Sequence, residues 1–417
     1  MGNVFVPKRD SWAVHSLWAP EVIKKGDTYY MYYSGYNIST GKMGIGLATS
    51  SSPNGPFKEI EGTYGGKTYS HTKMPIDLGF KAIDASPFID DDGKIYLYVS
   101  KDQVDRVSSV YACELEEDMV TIKAGTVTQT ALVTPSQTWE NPYASSKWNE
   151  APFMLKKDGK YYLFYSANYY QNSAYAIGVA VSDNPLSGFT KVDYNPILEA
   201  FPDWNFVSGT GHCSVFKSPD GSEYWIAYHS HIDTVNGGDE RSIKFDKLVF
   251  DEDRIFVNGP SIAPQLLPSG CSEYGNIASL ATLTSSDGGD ASLLTDGVIN
   301  YYYDTVDAYE YVTEEKTTFT FTFDEATDVY AVMVYDSADY YCAGKSVDSA
   351  LGENSVSGLK FNPKYCYVDE YGWDIKVPGT AAIVEFSVIS TNTVKVTLDE
   401  SIGVTEIVIV GKTGGNL

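Results

Sequence analysis

Four side chains able to do chemistry head four similar stretches: Trp18 in WAPEV, Asp84 in DASPF, Glu150 in EAPFM and His212 in HCSVF. Two carboxylates sharing a pocket are the minimum apparatus for splitting a glycosidic bond. One, protonated, gives its proton to the leaving oxygen, while the other tunes that acid or activates water. An ionised Asp84 beside Glu150 would keep the Glu150 proton in place toward neutral pH by like-charge repulsion. Each residue also has a plainer reading: Asp84 as a turn residue ahead of Ser86-Pro87, Glu150 as a solvated acid at a strand end, His212 as a core histidine. What favours a site is that all four fall at nearly equivalent places in a repeat.

The repeat is legible. WAPEVIKKGDTYYMYYSG begins at Trp18, DASPFIDDDGKIYLYVSK at Asp84, EAPFMLKKDGKYYLFYSA at Glu150 and HCSVFKSPDGSEYWIAYHS at His212. Each runs from an apolar segment through a Gly/Asp turn (Gly26-Asp27, Asp92-Gly93, Asp158-Gly159, Asp220-Gly221) into a Tyr-rich strand, a hairpin signature. Third strands such as GIGLATS (44–50), VYACEL (110–115) and AIGVAVS (176–182) follow. Four-stranded units about every 65 residues, without helical periodicity, predict an all-β chain and a β-propeller over residues 1–268. Innermost strands of a propeller line its channel, so their leading residues converge at one mouth.

From about Cys271 the composition turns to Ser, Thr, Gly and Ala, then to separated strands TTFTFTF, VYAVMVY, AAIVEFSVI, TVKVTL and EIVIVG. These predict a second domain, a β-sandwich over 271–417. The net charge of −25 disfavours nucleic acid and anionic lipid as partners and suits a neutral substrate. No apolar run approaches the roughly 20 residues of a membrane span. Five cysteines without CxxC spacing argue against a zinc site or thioredoxin-like motif; Cys342 and Cys366 are the pair that could join, against free buried thiols.

With these motifs in hand, the chain resembles glycoside hydrolase family 43, five-bladed propeller enzymes acting on xylans and arabinans. The resemblance runs through WAPEV (18–22), IDASPF (83–88), NEAPF (149–153), SGTGHCSV (208–215), ERSIKFDKLVF (240–250) and VNGPS (257–261). It implies an inverting β-xylosidase or α-L-arabinofuranosidase working on plant cell-wall oligosaccharides from xylan, arabinoxylan or arabinan. Glu150 is then the general acid, and Asp84 the residue that sets its pKa and orients it. Trp18, Ser86 and Arg241 are implied to bind substrate, and His212 to lie beside a calcium ion. The family also implies a secreted or periplasmic location, although MGNVFVPKRD shows no signal-peptide pattern.

One departure matters. The family's general base is an Asp of a first blade upstream of WAPEV, whereas this chain begins 17 residues before Trp18 and VFVPKRDSW reads as that blade's tail. Four blades are thus recognisable, the first is missing from the pattern, and no base is found by alignment. Asp10 sits in a linker context, and Glu21, by alternation from Trp18, faces elsewhere. Uncovered blade faces predict a rearranged closure or a homo-oligomer. The C-terminal part resembles discoidin-like (factor 5/8 type) jelly-roll modules through NIASLATLTSS, LLTDG and GVTEIVIVGK. Its Tyr-rich loops, 301–311 and 335–341, would offer stacking faces to sugars as a carbohydrate-binding module, against a purely structural sandwich. The alternative to a glycosidase is a catalytically inactive or truncated propeller that binds plant polysaccharide.

Overall fold

The computed structural model describes residues 3–413 apart from 105, 142–143, 201–206, 252–253, 262–264, 300–309, 314–315, 337–366, 369–373, 376–380, 399–400 and 402. The Cys342/Cys366 pair and most of the two Tyr-rich loops lie outside the described residues. Cys113 and Cys213 are buried free thiols, and Cys271 is an exposed one. Among the described residues no helix is long and apolar enough to cross a bilayer.

Every repeat forms an antiparallel meander. The first comprises β1 (Trp18–Lys25), β2 (Thr28–Asn37), β3 (Lys42–Ser50) and β4 (Lys58–Glu59), followed by a small hairpin of β5 (Gly62–Tyr64) and β6 (Lys67–Tyr69). The second is β7 (Ala82–Ile89), β8 (Ile95–Val104) and β9 (Val107–Leu115). The third is β10 (Lys147–Lys157), β11 (Lys160–Ala167), β12 (Ala176–Ser182) and β13 (Thr190–Lys191). A short parallel pairing of Lys147 and Trp148 with Val107 and Ser108 joins these two into one seven-stranded order. The fourth is β14 (Gly211–Lys217), β15 (Tyr224–His231), β16 (Arg241–Asp251) and β17 (Arg254–Asn258). The turn glycines Gly26, Gly93, Gly159 and Gly221 sit at φ 58°, 83°, 79° and 76°, a backbone that side chains resist and that hairpin turns require.

The Tyr-rich strands are buried on both faces, which is why they read as continuous apolar runs rather than alternating ones. Tyr32 packs with Ile45 and Leu47 against Ala82, Leu97 and Cys113 of the next repeat. Met31 and Tyr33, from the other face of β2, pack with Trp12, Ala13 and Phe57. Tyr96, Tyr98 and Val110 meet Met154, Leu163 and Tyr165 in the same way. Two phenols tether one repeat to the next: the Tyr32 hydroxyl donates to the Met119 carbonyl at 2.6 Å and that of Tyr98 to the Pro185 carbonyl at 2.9 Å.

The chain divides into two compact units, 1–215 with 228–243, and 216–227 with 244–417. In the second, β18 (Tyr274–Asn276), β19 (Thr282–Ser285), β20 (Tyr311–Val312), β21 (Thr317–Asp336), β24 (Ala381–Leu398) and β25 (Gly403–Lys412) form one sheet around β21 and β25; β22 (Tyr367–Val368) and β23 (Asp374–Ile375) pair separately. Period-two apolar residues, Phe319, Phe321 and Phe323 on β21 and Val394, Val396 and Leu398 on β24, fill its core. TTFTFTF and VYAVMVY, read as separate strands, are one 20-residue strand whose register shifts between Thr322 and Thr327.

Candidate active site

The heads of β1, β7 and β10 share one irregularity. Trp18 and Glu21 face Ser34 and Tyr32, Ile83 and Ser86 face Ser100 and Tyr98, and Glu150 and Phe153 face Ser166 and Phe164. Three steps on one strand thus match two on its partner, the signature of a β-bulge. A left-handed residue follows immediately: Ala19 (φ 47°), Asp84 (53°) and Ala151 (52°), with His212 (52°) in β14. Such backbone is unfavourable for non-glycine residues and persists only where its surroundings hold it.

Serines hold it. The backbone N–H of Asp84 donates to Ser34 Oγ at 2.9 Å, that of Ala151 to Ser100 Oγ at 3.0 Å, and that of His212 to Ser166 Oγ at 2.8 Å. Each serine lies on the Tyr-rich strand of the preceding repeat, so these three strand heads are fixed by their neighbours. The equivalence of Trp18, Asp84, Glu150 and His212 is therefore off by one. Trp18 and Glu150 precede the left-handed residue, whereas Asp84 and His212 are the left-handed residue. Counting by twos does not reveal an inserted residue, and the same bulge breaks the alternation from Trp18 to Glu21.

The offset gives the two acids different surroundings. Asp84 is buried, and its Oδ2 accepts from Ser100 Oγ at 3.0 Å and from the Ala151 N–H at 3.2 Å. It thereby grips the residue next to Glu150. Glu150 is half-buried, and its Oε1 accepts from the Tyr175 hydroxyl at 2.9 Å. Burial first, then the nearby Glu150 and Asp84 charges, hold the Tyr175 phenol well above its ordinary range, so it stays a donor. Gly211 makes room for this ring: a Cβ there would stand 2.0 Å from Tyr175 Cε1.

Behind Tyr175 the His229 ring stacks at 5.5 Å and 10°. Arg241 Nη1 approaches His229 Nε2 at 3.5 Å; because a guanidinium only donates, Nε2 is the accepting nitrogen. Burial, with the neighbouring His212 and Arg241 as lesser causes, lowers the His229 pKa to about 3, leaving the ring neutral. Arg241 also lies 5.2 Å over the Tyr170 ring, in a rim continued by Tyr169 and Trp148.

On the other side, buried Glu140 accepts from the Ser136 and Gln137 N–H groups at 2.6 and 2.7 Å and pairs with Lys191. Lys191 and Glu140 both bond Asn149, at 2.9 and 3.2 Å, directly before Glu150. Trp18 is 52% exposed, available as a stacking face rather than used as core. Ser86 is buried, and among the described residues its hydroxyl has no hydrogen-bond partner. Glu21 accepts from Ser214 Oγ at 2.9 Å, and burial raises its pKa to about 7. Asp10 is exposed and bonds His71 Nε2 at 3.1 Å.

His212 contributes a single nitrogen, and among the described residues no three His, Cys, Asp or Glu side chains gather as a metal site. Calcium takes six to eight oxygens, a donor set these side chains do not supply, so no step below is routed through a cation. Sequence reading missed Tyr175, His229 and Asn149, which act through contacts distant in the chain. It also missed the serines, although Ser34, Ser100, Ser166 and Ser230 follow the tyrosines and apolar residues in each Tyr-rich strand.

The chain is 28% identical over 253 residues to the beta-D-galactofuranosidase xynD of Aspergillus niger, covering 58% of this chain and 64% of that protein. It is 30% identical over 258 residues to the arabinoxylan arabinofuranohydrolase of Paenibacillus polymyxa, covering 58% and 37%. It thus spans less than two thirds of the length of either. The crystal structure of a thermostable family-43 glycoside hydrolase superposes with a TM-score of 0.58 at 37% identity, over 64% of this chain and 83% of the other. The family model of the glycosyl hydrolases family 43 matches residues 1–256, a span that holds both acid-bearing strand heads and runs into β17 of the fourth meander, and the chain belongs to that family.

Proposed function

We propose that this protein is an inverting glycosidase that removes xylose or arabinofuranose units from plant hemicellulose. Glu150 is the general acid, passing its proton to the glycosidic oxygen as the bond to the anomeric carbon breaks. Asp84 positions it by holding the Ala151 N–H and adds the negative charge that keeps the proton on Glu150. The observation that carries this reading is the shared Ala151 link: one carboxylate is locked into the backbone beside the other, and the second accepts from the Tyr175 phenol. Water attacks the opposite face of the sugar; no residue is assigned as the acceptor of its proton.

Trp18, Arg241 and Ser86 are the substrate contacts of this reading, and the four meanders are blades of a propeller of the five-bladed kind. The arabinoxylan named for the Paenibacillus polymyxa relative supports the substrate class. A polymer of that size is met outside the cytoplasm, which supports secretion. The test is hydrolysis of aryl β-D-xyloside and aryl α-L-arabinofuranoside, with Glu150→Ala purified in parallel. Turnover that vanishes in Glu150→Ala supports the enzyme. Turnover no greater than that of the variant, with retention on insoluble arabinoxylan, would make the protein a binder instead.

A further inference from the structure

Glu150 stands between two residues that are each held from outside their own strand. Ala151, after it, is gripped by Asp84 and Ser100. Asn149, before it, is buried between Lys191 of β13 and Glu140, which closes a single helical turn, Thr138–Glu140. Lys191 Nζ donates to Asn149 Oδ1 at 2.9 Å, and Asn149 Nδ2 donates to Glu140 Oε1 at 3.2 Å. An amide fits between an ammonium and a carboxylate in one orientation only, since its flipped form sets donor against donor and acceptor against acceptor.

The clasp is saturated. The Lys191 ammonium directs its three hydrogens to Asn149, Glu140 and the Thr134 carbonyl (2.7 Å), and lies 4.8 Å over the Tyr165 ring. Glu140 gives Oε1 to Lys191 and Asn149, and Oε2 to the N–H groups of Ser136 and Gln137. A buried ion pair adds little stability over apolar side chains of its size, whereas a fully bonded network holds its members in one arrangement. Successive side chains of a strand point to opposite faces, so fixing Asn149 on the buried face directs Glu150 to the other. The two charges cancel, and the clasp acts on Glu150 by place rather than by field.

We infer that Lys191 and Glu140 are positioning residues, acting through Asn149 to aim the Glu150 carboxyl at the departing oxygen; this rests on the reading of Glu150 as the general acid. Asn149→Ala tests it while leaving Glu140 and Lys191 paired, and Lys191→Met is the second variant. Rates are compared on methoxyphenyl and dinitrophenyl glycosides of one sugar, since only the first leaving group needs a proton. Each variant should lose kcat by about tenfold to a hundredfold on the methoxyphenyl substrate and by less than about twofold on the other. In Asn149→Ala, KM and both limbs of the kcat–pH profile should stay where they are. In a Glu150→Ala background neither change should lower kcat further, because the two effects share one group.

Lys156→Met supplies the contrast. Farther along β10, Lys156 pairs with buried Asp90 at 2.6 Å and lies 5.1 Å over the Tyr161 ring. Its loss should affect both substrates alike. Equal losses on the two substrates in Asn149→Ala and Lys191→Met, or the same selective loss in Lys156→Met, would overturn the inference. Equal losses in Glu150→Ala itself would instead remove the acid reading, and the inference with it.

Discussion

Strands β7 and β10 begin with the same bulge and the same serine anchor, and they put their acids to opposite uses. In β7 the acid is the left-handed residue, and its carboxylate turns back to accept from Ser100 and from the Ala151 N–H. In β10 the acid stands one position earlier, and its carboxylate meets Tyr175. A single-residue offset on one backbone device thus separates a carboxylate bound into the backbone from one bound to a tyrosine side chain. Fold repetition supplies the scaffold, and the offset supplies the division of labour.

Removing Glu150 should break the comparison most. Glu150→Ala should lower kcat by a factor of about a thousand or more on substrates with poor leaving groups. The loss should be much smaller on a dinitrophenyl glycoside, whose leaving group needs no proton. Equal losses on both would remove Glu150 from the acid role.

Asp84 should separate charge from structure. Asp84→Asn keeps an acceptor for the Ala151 N–H and a residue tolerant of left-handed backbone, so it should fold normally while activity falls about a hundredfold. Asp84→Ala should in addition lose about 1–3 kcal/mol in urea unfolding, because buried donors lose their partner. Stability losses that match in the two variants would deny Asp84 its anchoring part.

The bulge of β1 offers a third comparison, since its acid, Glu21, lies two residues past the left-handed Ala19. Its folded pKa of about 7 stands above the ordinary 4.5. Between these values the folded state binds more protons than the unfolded one, so this group's contribution favours folding below pH 4.5 and fades as pH rises through 7. The span is up to about 3 kcal/mol. Unfolding midpoints of the parent should therefore fall relative to Glu21→Gln across that window; parallel curves would show Glu21 to be solvated.

Tyr175→Phe should have a smaller effect, near tenfold in kcat, with the high-pH limb of the kcat profile shifted because Glu150 loses a donor to its ionised form. The smallest effect should be at the half-buried His71, whose pKa is raised by Glu61 first and Asp10 next. The clasp it makes on residues 8–11 is present below the ordinary histidine pKa and loosens as pH rises through the raised one. Amide exchange at residues 8–11 should quicken over that range by a factor of about two, and not in His71→Gln.

Much of this arrangement was legible in the sequence. The Gly/Asp turns, the Tyr-rich strands and the four heads are local patterns, and the structure places each of them in a meander. What escaped was the register. WAPEV, DASPF and NEAPF look alignable at their first polar or aromatic residue, but the bulge aligns Trp18 with Ile83. Tyr175 and His229 escaped because a loop tyrosine and a strand histidine acquire meaning only through Glu150 and Arg241, at distant places in the chain. In the second unit β21 and β24 were each read as two strands, since a polar interruption such as Asp324–Thr327 looks like a turn until a neighbouring strand pairs across it.

The serine anchors have a consequence for variation. Glu150 takes its position from Ser100, a residue of another meander, and not from the turn at Asp158-Gly159 or the loops beyond it. Insertions or deletions in those outer connections would therefore leave the acid where it is. The surface that selects substrates is free to diverge while the reacting centre stays in place.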